Sequence, residues 1–253
     1  RRHLACIVCG VIFMESIINP YHYMKGIDLS LQAKHAKSIN INDILNKSKI
    51  DNFNQLNKVI SYSLYGTHPC FYWGAIENAL IAKELFSEWM VYIFVEDNLI
   101  PFLFPFKKLE NVKLFIMNGS IHSKSARYTM WRFLAAFDDN VDIMISRDTD
   151  SRLNMRDKTA VYQWLQTDKD FHITREASNH KQPILAGMWG VRNHLLKPFE
   201  SQFEKFYNND DNTTILWMDD QLFLADTIYP NVITNAFVHD HFRARKRRKE
   251  YPH

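Results

Sequence analysis

The chain has 253 residues, of which 46% are hydrophobic and 23% charged, and its formal net charge is +3. This composition fits one globular domain with a substantial core and excludes a disordered chain. The small net charge creates no overall field toward nucleic acid, so we expect no nucleic-acid partner. Three cysteines, an odd and low number, argue against a fold stapled by disulfides.

Residues 1–57 are polar and irregular in pattern, and we interpret them as an N-terminal extension. They begin with the basic letters RRH and about 11 mostly apolar residues, fewer than the roughly 20 that span a bilayer. Two interpretations stay open: a buried strand, or the surviving end of a signal or anchor segment. Since the chain does not begin with Met, we expect truncation or processing upstream.

From residue 58 onward, strand patterns alternate with helix patterns. Apolar runs predict four strands, in KVISYSLYG, WMVYIFVED, KLENVKLFIM and VDIMIS. Apolar residues at helical spacing predict helices in WGAIENALIAKELF, SARYTMWRFLAAF and RDKTAVYQWLQ, the last with Asn154 at its start. Strand–helix alternation predicts an α/β domain over residues 58–242, with a mostly parallel central sheet flanked by helices.

An aspartate pair, Asp148 and Asp150, directly follows the fourth predicted strand. Ligands of parallel sheets bind at the carboxyl ends of the strands. Residues one apart in an extended backbone point to the same side, so both carboxylates can face one hard divalent cation. The sequence therefore favours a metal site here, with a solvated surface turn as the alternative.

Several motifs in this region, in this order, resemble a known family: ISRDTDSRLNMRDKTAVYQWL, FHITRE, ILAGMWG and WMDDQLFLADTIYP. The chain resembles nucleotide-sugar-dependent glycosyltransferases of the GT-A type, which include polysaccharide-building enzymes of bacteria and large DNA viruses. The likeness covers about residues 59–242 and includes the opening VISYSLYG and GAIENALIAKELF. It implies a GT-A, Rossmann-like single domain that moves a hexose or deoxyhexose from a nucleoside diphosphate, with UDP preferred, to a glycan or glycoprotein.

The resemblance also implies roles for the donor and the metal. The stretch SYSLYG, residues 61–66, would line the nucleoside pocket, with Tyr62 and Ser63 nearest the base and ribose. Arg127 and Arg132 would reach toward the diphosphate or the donor sugar. The implied ligands of Mn²⁺ or Mg²⁺ on the diphosphate are Asp148, Asp150 and His239, with His241 as a second choice for the histidine.

The resemblance places two further motifs near the reacting carbon. The AGMWG loop, with Gly187 and Trp189, would lie along the donor sugar. Asp220 and Gln221 would act on the reacting carbon and orient the acceptor hydroxyl, since a carboxylate or amide oxygen can stabilise an oxocarbenium-like state.

Two other function classes stay open. An aspartyl phosphotransferase also places a D-x-D after a strand, but normally after the first strand of its domain. A non-catalytic nucleotide-sugar or polyanion-binding module would use the basic tail, residues 243–253, although such a basic run is usually a solvated tail. Membrane association, if present, is expected through the N-terminus or this tail.

Overall fold

A computed structural model describes residues 56–118, 125–175, 182–208 and 218–240. The predicted N-terminal extension, apart from its last two residues, and the predicted basic tail lie outside the described residues. Among the described residues, no helix is both long and apolar enough to cross a membrane.

One sheet organises the described residues. Its seven strands are β1 (Lys58–Leu64), β2 (Met90–Glu96), β3 (Val112–Met117), β4 (Ile143–Arg147), β5 (Phe171–Arg175), β6 (Met188–Arg192) and β7 (Ala236–Asp240). Their order across the sheet is β3-β2-β1-β4-β6-β5-β7, and only β6 runs against the others. The predicted fold class, an α/β domain with a mostly parallel sheet flanked by helices, is confirmed.

Helices cover both faces of the sheet. The α-helices are α1 (Pro69–Leu85), α2 (Met155–Leu165), α3 (Glu200–Asn208), α4 (Asp219–Phe223) and α5 (Tyr229–Val232). A π-helical turn, Leu224–Ile228, joins α4 to α5. Short 3₁₀ helices cover Asp97–Phe102, Phe106–Lys108, Lys197–Phe199 and Ile233–Asn235, and a longer one covers Ser125–Ala136.

Two hydrophobic clusters lie on the two faces and fix the layers. One packs α1 and α2 against the sheet, with Ile60 and Trp164 fully buried. The other packs the long 3₁₀ helix, α3 and α4 on the opposite face, with Trp131 and Phe171 fully buried. All seven residues of β1 are buried, as expected for a central strand of a parallel sheet covered on both faces.

The segment predicted as an α-helix over SARYTMWRFLAAF is instead a 3₁₀ helix, Ser125–Ala136. Two serines of β1 form hydrogen bonds with the backbone of this helix. The Ser63 hydroxyl accepts a bond from Arg132 N at 2.9 Å and donates to Thr129 O at 3.3 Å, and the Ser61 hydroxyl donates to Arg132 O at 2.7 Å. Because Arg132 N donates to a serine, it does not make the regular α-helical bond to residue 128.

The start predicted for α2 is confirmed. Asn154 is its N-cap, and its side-chain oxygen accepts bonds from the amides of Arg156 and Asp157. Such a cap satisfies amides that the first helical turn leaves without partners. The cap also ends the loop that carries Asp148 and Asp150, so the chain direction after the D-x-D is fixed.

Candidate functional site

A cavity of about 360 Å³ opens between the carboxyl ends of β1 and β4. The chain runs from β1 to β2 and β3 on one side, then crosses to β4 on the other. This reversal of strand order is the point at which open α/β sheets bind ligands. Six residues singled out in the sequence line the cavity: Ser63, Arg132, Asp148, Asp150, Asp220 and Gln221.

Arg132 is the central cation of the site. Its guanidinium donates to the Asp148 carboxylate through Nη1 and to Asp220 Oδ2 through Nη2, the latter at 2.8 Å. The Arg132 side chain is 7% exposed and that of Asp220 is 6%, whereas that of Asp148 is 45% exposed. Arg132 therefore joins a buried carboxylate to an accessible one across the cavity wall.

Asp220 and Gln221, at the start of α4, form the other wall of the cavity. Burial raises the pKa of Asp220, while the Arg132 guanidinium acts in the opposite direction. Asp220 Oδ1 also accepts the Gln221 amide at 2.8 Å. Gln221 Oε1 is buried with no hydrogen-bond partner in the described part of the chain. A bound group that donates a hydrogen bond would satisfy this oxygen.

Four further residues line the cavity that were not singled out in the sequence: Phe71, Thr129, Thr149 and Met218. Tyr65, within the stretch 61–66 that the resemblance assigned to the nucleoside pocket, also lines it. Tyr65 packs edge-on against Tyr128 and Trp131, and burial raises the pKa of its phenol. Tyr65 lies just past the last residue of β1, and Phe71 lies in the first turn of α1. An aromatic residue in the first turn of a helix that follows a strand end is the signal that would have found Phe71.

The placement of Tyr62 corrects its predicted role. Ser63 lines the cavity, but Tyr62 is 0% exposed and belongs to the cluster under α1. Successive side chains of a strand point to opposite faces, so the two cannot both reach a nucleoside. Tyr62 is part of the core.

Arg127 and Trp189 are also corrected. Arg127 is buried, and its Nη1 donates to Tyr207 O at 2.9 Å, so it holds α3 rather than facing the cavity. Trp189 is 1% exposed within β6 and stacks on Phe171 with ring centroids 5.4 Å apart. The AGMWG segment is thus largely a strand, because Met188–Arg192 pairs with β4.

Gly187 lies at the site, but its described neighbour is the Asp148 carboxylate and not a donor sugar. A methyl group added at this position would collide with the Asp148 carboxylate. The glycine therefore lets the backbone before β6 lie directly against Asp148. Its described contact is with the D-x-D motif.

His239 does not join the aspartates, which corrects the predicted metal site. It lies on β7, three strands from β4, which is about 14 Å at the usual strand spacing. Both ring nitrogens are occupied: Nδ1 lies 2.9 Å from His172 Nε2, and Nε2 lies 2.9 Å from Gln163 Oε1. His241 lies outside the described residues.

The remaining residues fit a divalent cation that arrives with phosphates. No group of three His, Cys, Asp or Glu side chains within the described ranges could hold a metal ion alone. Asp148 and Asp150 nevertheless both line the cavity. A cation bound to phosphate oxygens and water needs only one or two protein carboxylates. These two aspartates are the residues that would hold it.

Comparison with known proteins shows only distant likeness. No protein-family model matches the chain, and no curated protein sequence matches it. Among solved structures, a glycosyltransferase involved in the glycosylation of the major capsid of PBCV-1 is 12% identical, covers 73% of this chain and 81% of its own, and has a TM-score of 0.46.

Two further solved structures are similarly distant. The 4-diphosphocytidyl-2C-methyl-D-erythritol synthase of Anaerococcus prevotii is 12% identical, with coverages of 77% and 91% and a TM-score of 0.47. Residues 1–349 of S. aureus TarS are 13% identical, with coverages of 66% and 55% and a TM-score of 0.41. At these values the likeness carries no conclusion about function, which rests on the site itself.

Proposed function

We propose that this chain is a metal-dependent glycosyltransferase that transfers a sugar from a nucleoside diphosphate, by preference UDP, to a glycan or glycoprotein acceptor. One observation carries the proposal. The D-x-D carboxylates and the Asp220–Gln221 pair line the same cavity at the switch point of the sheet, and Arg132 joins them. The motif resemblance over residues 59–242 supports the same class.

The D-x-D wall suits the diphosphate of the donor. Transfer breaks the bond between the sugar carbon and a diphosphate oxygen, and negative charge develops on the leaving diphosphate. A divalent cation, Mn²⁺ or Mg²⁺, would neutralise this charge when bound. Asp148 and Asp150 would supply its carboxylate ligands, because Asp150 is exposed and Asp148 is half-exposed at the cavity.

The Asp220–Gln221 wall suits the sugar. As the leaving bond breaks, positive charge develops at the sugar carbon and the diphosphate oxygen keeps the electron pair. The acceptor oxygen forms the new bond to that carbon, and its hydroxyl proton passes to the leaving diphosphate or to water. The Asp220 carboxylate has the sign that stabilises the positive centre. The unpartnered Gln221 Oε1 can accept a hydrogen bond from a sugar or acceptor hydroxyl.

The geometry favours this class over an aspartyl phosphotransferase. That chemistry needs the first aspartate of the motif as an available nucleophile. Here the Asp148 carboxylate is ion-paired with Arg132, which lowers its nucleophilicity. The motif also follows the fourth strand, with β1, β2 and β3 before it.

Calorimetric titration with UDP, with and without Mn²⁺, tests the proposal, together with a panel of UDP- and GDP-sugars for slow donor hydrolysis. We expect Mn²⁺ to strengthen UDP binding and one donor to be hydrolysed. Changing a residue that only supports a metal ligand lowers metal affinity by about 10- to 100-fold. In Asp150→Asn, which changes a proposed ligand itself, UDP affinity in the presence of Mn²⁺ should fall by at least as much.

Asp168→Asn is the matched control, because Asp168 is an exposed aspartate in the turn between α2 and β5, outside the cavity lining. It should bind UDP and Mn²⁺ as the unchanged chain does. The proposal fails if Asp150→Asn leaves metal-dependent binding and hydrolysis intact, or if the unchanged chain binds no nucleotide with metal present. Nucleotide binding without any transfer would instead favour a non-catalytic binding module.

A further inference from the structure

Asn78 is a fully buried polar residue in α1 that contacts the D-x-D loop. It is 0% exposed. Its side-chain Nδ2 donates to Ser151 O at 2.9 Å and lies 3.5 Å from Thr149 O, and its Oδ1 accepts the Leu153 amide at 2.9 Å. The Asn78 side-chain amide therefore bonds, through both its nitrogen and its oxygen, to the backbone of residues close to Asp150.

Neighbouring residues of α1 hold the same loop. A methyl group at Gly74 would collide with Thr149 O, so the helix backbone lies directly against this carbonyl. Glu77 forms an ion pair with Arg152, whose Nη1 also donates to Thr149 O at 2.8 Å. Three positions within five residues of one helix thus contact the loop that follows Asp148.

These contacts constrain the direction of the carboxylates. Asp150 is exposed at the cavity, whereas the Thr149 side chain on its one side is buried. The carbonyls of Thr149 and Ser151 face α1 and bond to Asn78, and Thr149 O also accepts from Arg152 Nη1. Losing a hydrogen bond at such a carbonyl is costly where the carbonyl is shielded from water. Their bonds to α1 keep the backbone turned toward the helix, and the Asp150 side chain remains on the cavity side.

We propose that Asn78 is a positioning residue that fixes the D-x-D loop so that Asp148 and Asp150 meet a bound metal–diphosphate together. This rests on the proposed function for the metal and the nucleotide, but the loop-fixing part stands on geometry alone. Asn78 contacts neither cavity nor ligand and acts through the backbone of residues 149–153. Residues that orient metal ligands from behind affect metal affinity by about 10- to 100-fold.

An amide is the side chain that this position requires. Aspartate has the same shape and still accepts the Leu153 amide, but it cannot donate, and it places negative charge against two carbonyl oxygens. Asn78→Asp therefore removes the bonds to Ser151 O and Thr149 O while leaving the packing volume unchanged.

Asn111 supplies a matched control, because it lies outside α1 but its side chain bonds to the same helix. Its Nδ2 donates to Ala79 O at 2.9 Å, and it lies next to β3, away from the D-x-D loop. Asn111→Asp makes the same kind of chemical change, the loss of a side-chain NH₂ that bonds a backbone carbonyl, here that of Ala79 within α1. It should lower stability without moving the loop.

The test combines two measurements on the full chain. Hydrogen exchange of the peptide covering residues 148–153 reports loop order without any ligand, since Ser151 N donates to Asp148 O at 3.2 Å when the turn is closed. Titration of UDP with Mn²⁺ reports the metal–diphosphate site. We expect Asn78→Asp to speed exchange and to weaken Mn²⁺-dependent UDP binding by about 10- to 100-fold. We expect Asn111→Asp to change neither.

The two readouts separate the possible failures. Unchanged exchange in Asn78→Asp overturns the inference, whether or not the chain binds UDP. So does an equal loss of UDP affinity in both variants at matched stability, because Asn78 would then be only structural. If the unchanged chain binds no UDP while exchange rises only in Asn78→Asp, the proposed function fails and the loop-fixing role survives. Asn78→Ser, which shortens the side chain but keeps it polar, replaces Asn78→Asp if the latter does not fold.

Discussion

Two clusters of polar side chains in this molecule differ in what they face. The cavity cluster consists of Arg132, Asp148 and Asp220 at the carboxyl ends of the central strands. The histidine cluster consists of His172 and His239 on β5 and β7, near the far edge of the sheet. The cavity cluster lines a cavity and reaches solvent through the half-exposed Asp148. In the histidine cluster His172 is 0% exposed and His239 is partly exposed, and neither lines that cavity.

The difference shows why charged or metal-binding residue types alone do not define a site. In the histidine cluster, His172 stacks on Trp164 with centroids 5.2 Å apart, and His239 bonds to Gln163. The ring nitrogen of His239 that could bind a metal is already bonded within the protein. In the cavity cluster, carboxylate oxygens remain at an open surface. Position in the lining of the cavity, rather than residue type, separates the candidate site from the histidine cluster.

The largest expected effect comes from breaking the cavity cluster with Arg132→Ala. It leaves the buried Asp220 carboxylate without its cation, which costs about 3–5 kcal/mol of unfolding free energy, and Mn²⁺-dependent UDP binding should also be lost. Arg175→Ala is the comparison, because Arg175 forms an equally buried ion pair with Asp240 on β5 and β7. Chemical denaturation of Arg175→Ala should show a similar loss of unfolding free energy. UDP titration of this variant, under conditions in which both variants remain folded, should show normal binding. Equal loss of UDP binding in the two variants would contradict the distinction between the clusters.

The histidine cluster predicts a dependence of stability on pH. Burial, with His239 as the next cause, holds the pKa of His172 well below its usual range. In the unfolded chain the His172 imidazole takes up a proton near pH 6.5, whereas in the folded chain it stays neutral at that pH. The stability that the neutral, buried His172 contributes is therefore present above pH 6.5 and is lost as the pH falls. The slope is at most about 1.4 kcal/mol per pH unit.

His172→Phe keeps an aromatic ring stacked on Trp164 but removes the titrating group. The unfolding free energy, measured by denaturation at several pH values, should then fall less between pH 7 and pH 5. His68→Asn is the control, since His68 is an exposed N-cap of α1 and asparagine preserves the capping acceptor. A slope unchanged by His172→Phe, or equally reduced by His68→Asn, would show that acid acts elsewhere.

The smallest expected effect is that of His239→Gln on metal binding. Because His239 lies about three strand spacings from the aspartates, Mn²⁺-dependent UDP binding should stay within about twofold of the unchanged chain, a difference of less than about 0.5 kcal/mol. A loss as large as that of Asp150→Asn would place the histidine back in the metal site and would remove the contrast between the two clusters.

Much of the fold could be predicted because each strand and helix signal is local. The four predicted strands became β1 to β4, and the Asn154 cap appears where its pattern places it. The long helix before β4 was predicted as an α-helix but is a 3₁₀ helix, because the serines of β1 form hydrogen bonds with its backbone. That contact joins residues about 70 positions apart, and no local pattern contains it.

The candidate site was predictable only in part. Aspartates after a strand must lie at its carboxyl end, so Asp148 and Asp150 followed from the sequence alone. Asn78 was missed, although a polar residue on the buried stripe of α1 is a signal in itself. The family resemblance assigned both Tyr62 and Ser63 to the site, but side chains alternate along a strand, and that of Tyr62 points into the core.

By itself, the sequence determined the α/β alternation, the edge of the sheet at which the aspartates emerge, and the start of α2, since apolar period and capping are properties of neighbouring residues. Only the tertiary structure decided that Arg132 is held between Asp148 and Asp220, that α1 holds the D-x-D loop, and that His239 bonds to His172. These outcomes depend on which strands lie side by side and which face of each element is covered, and strand order is set by packing between segments distant in the chain.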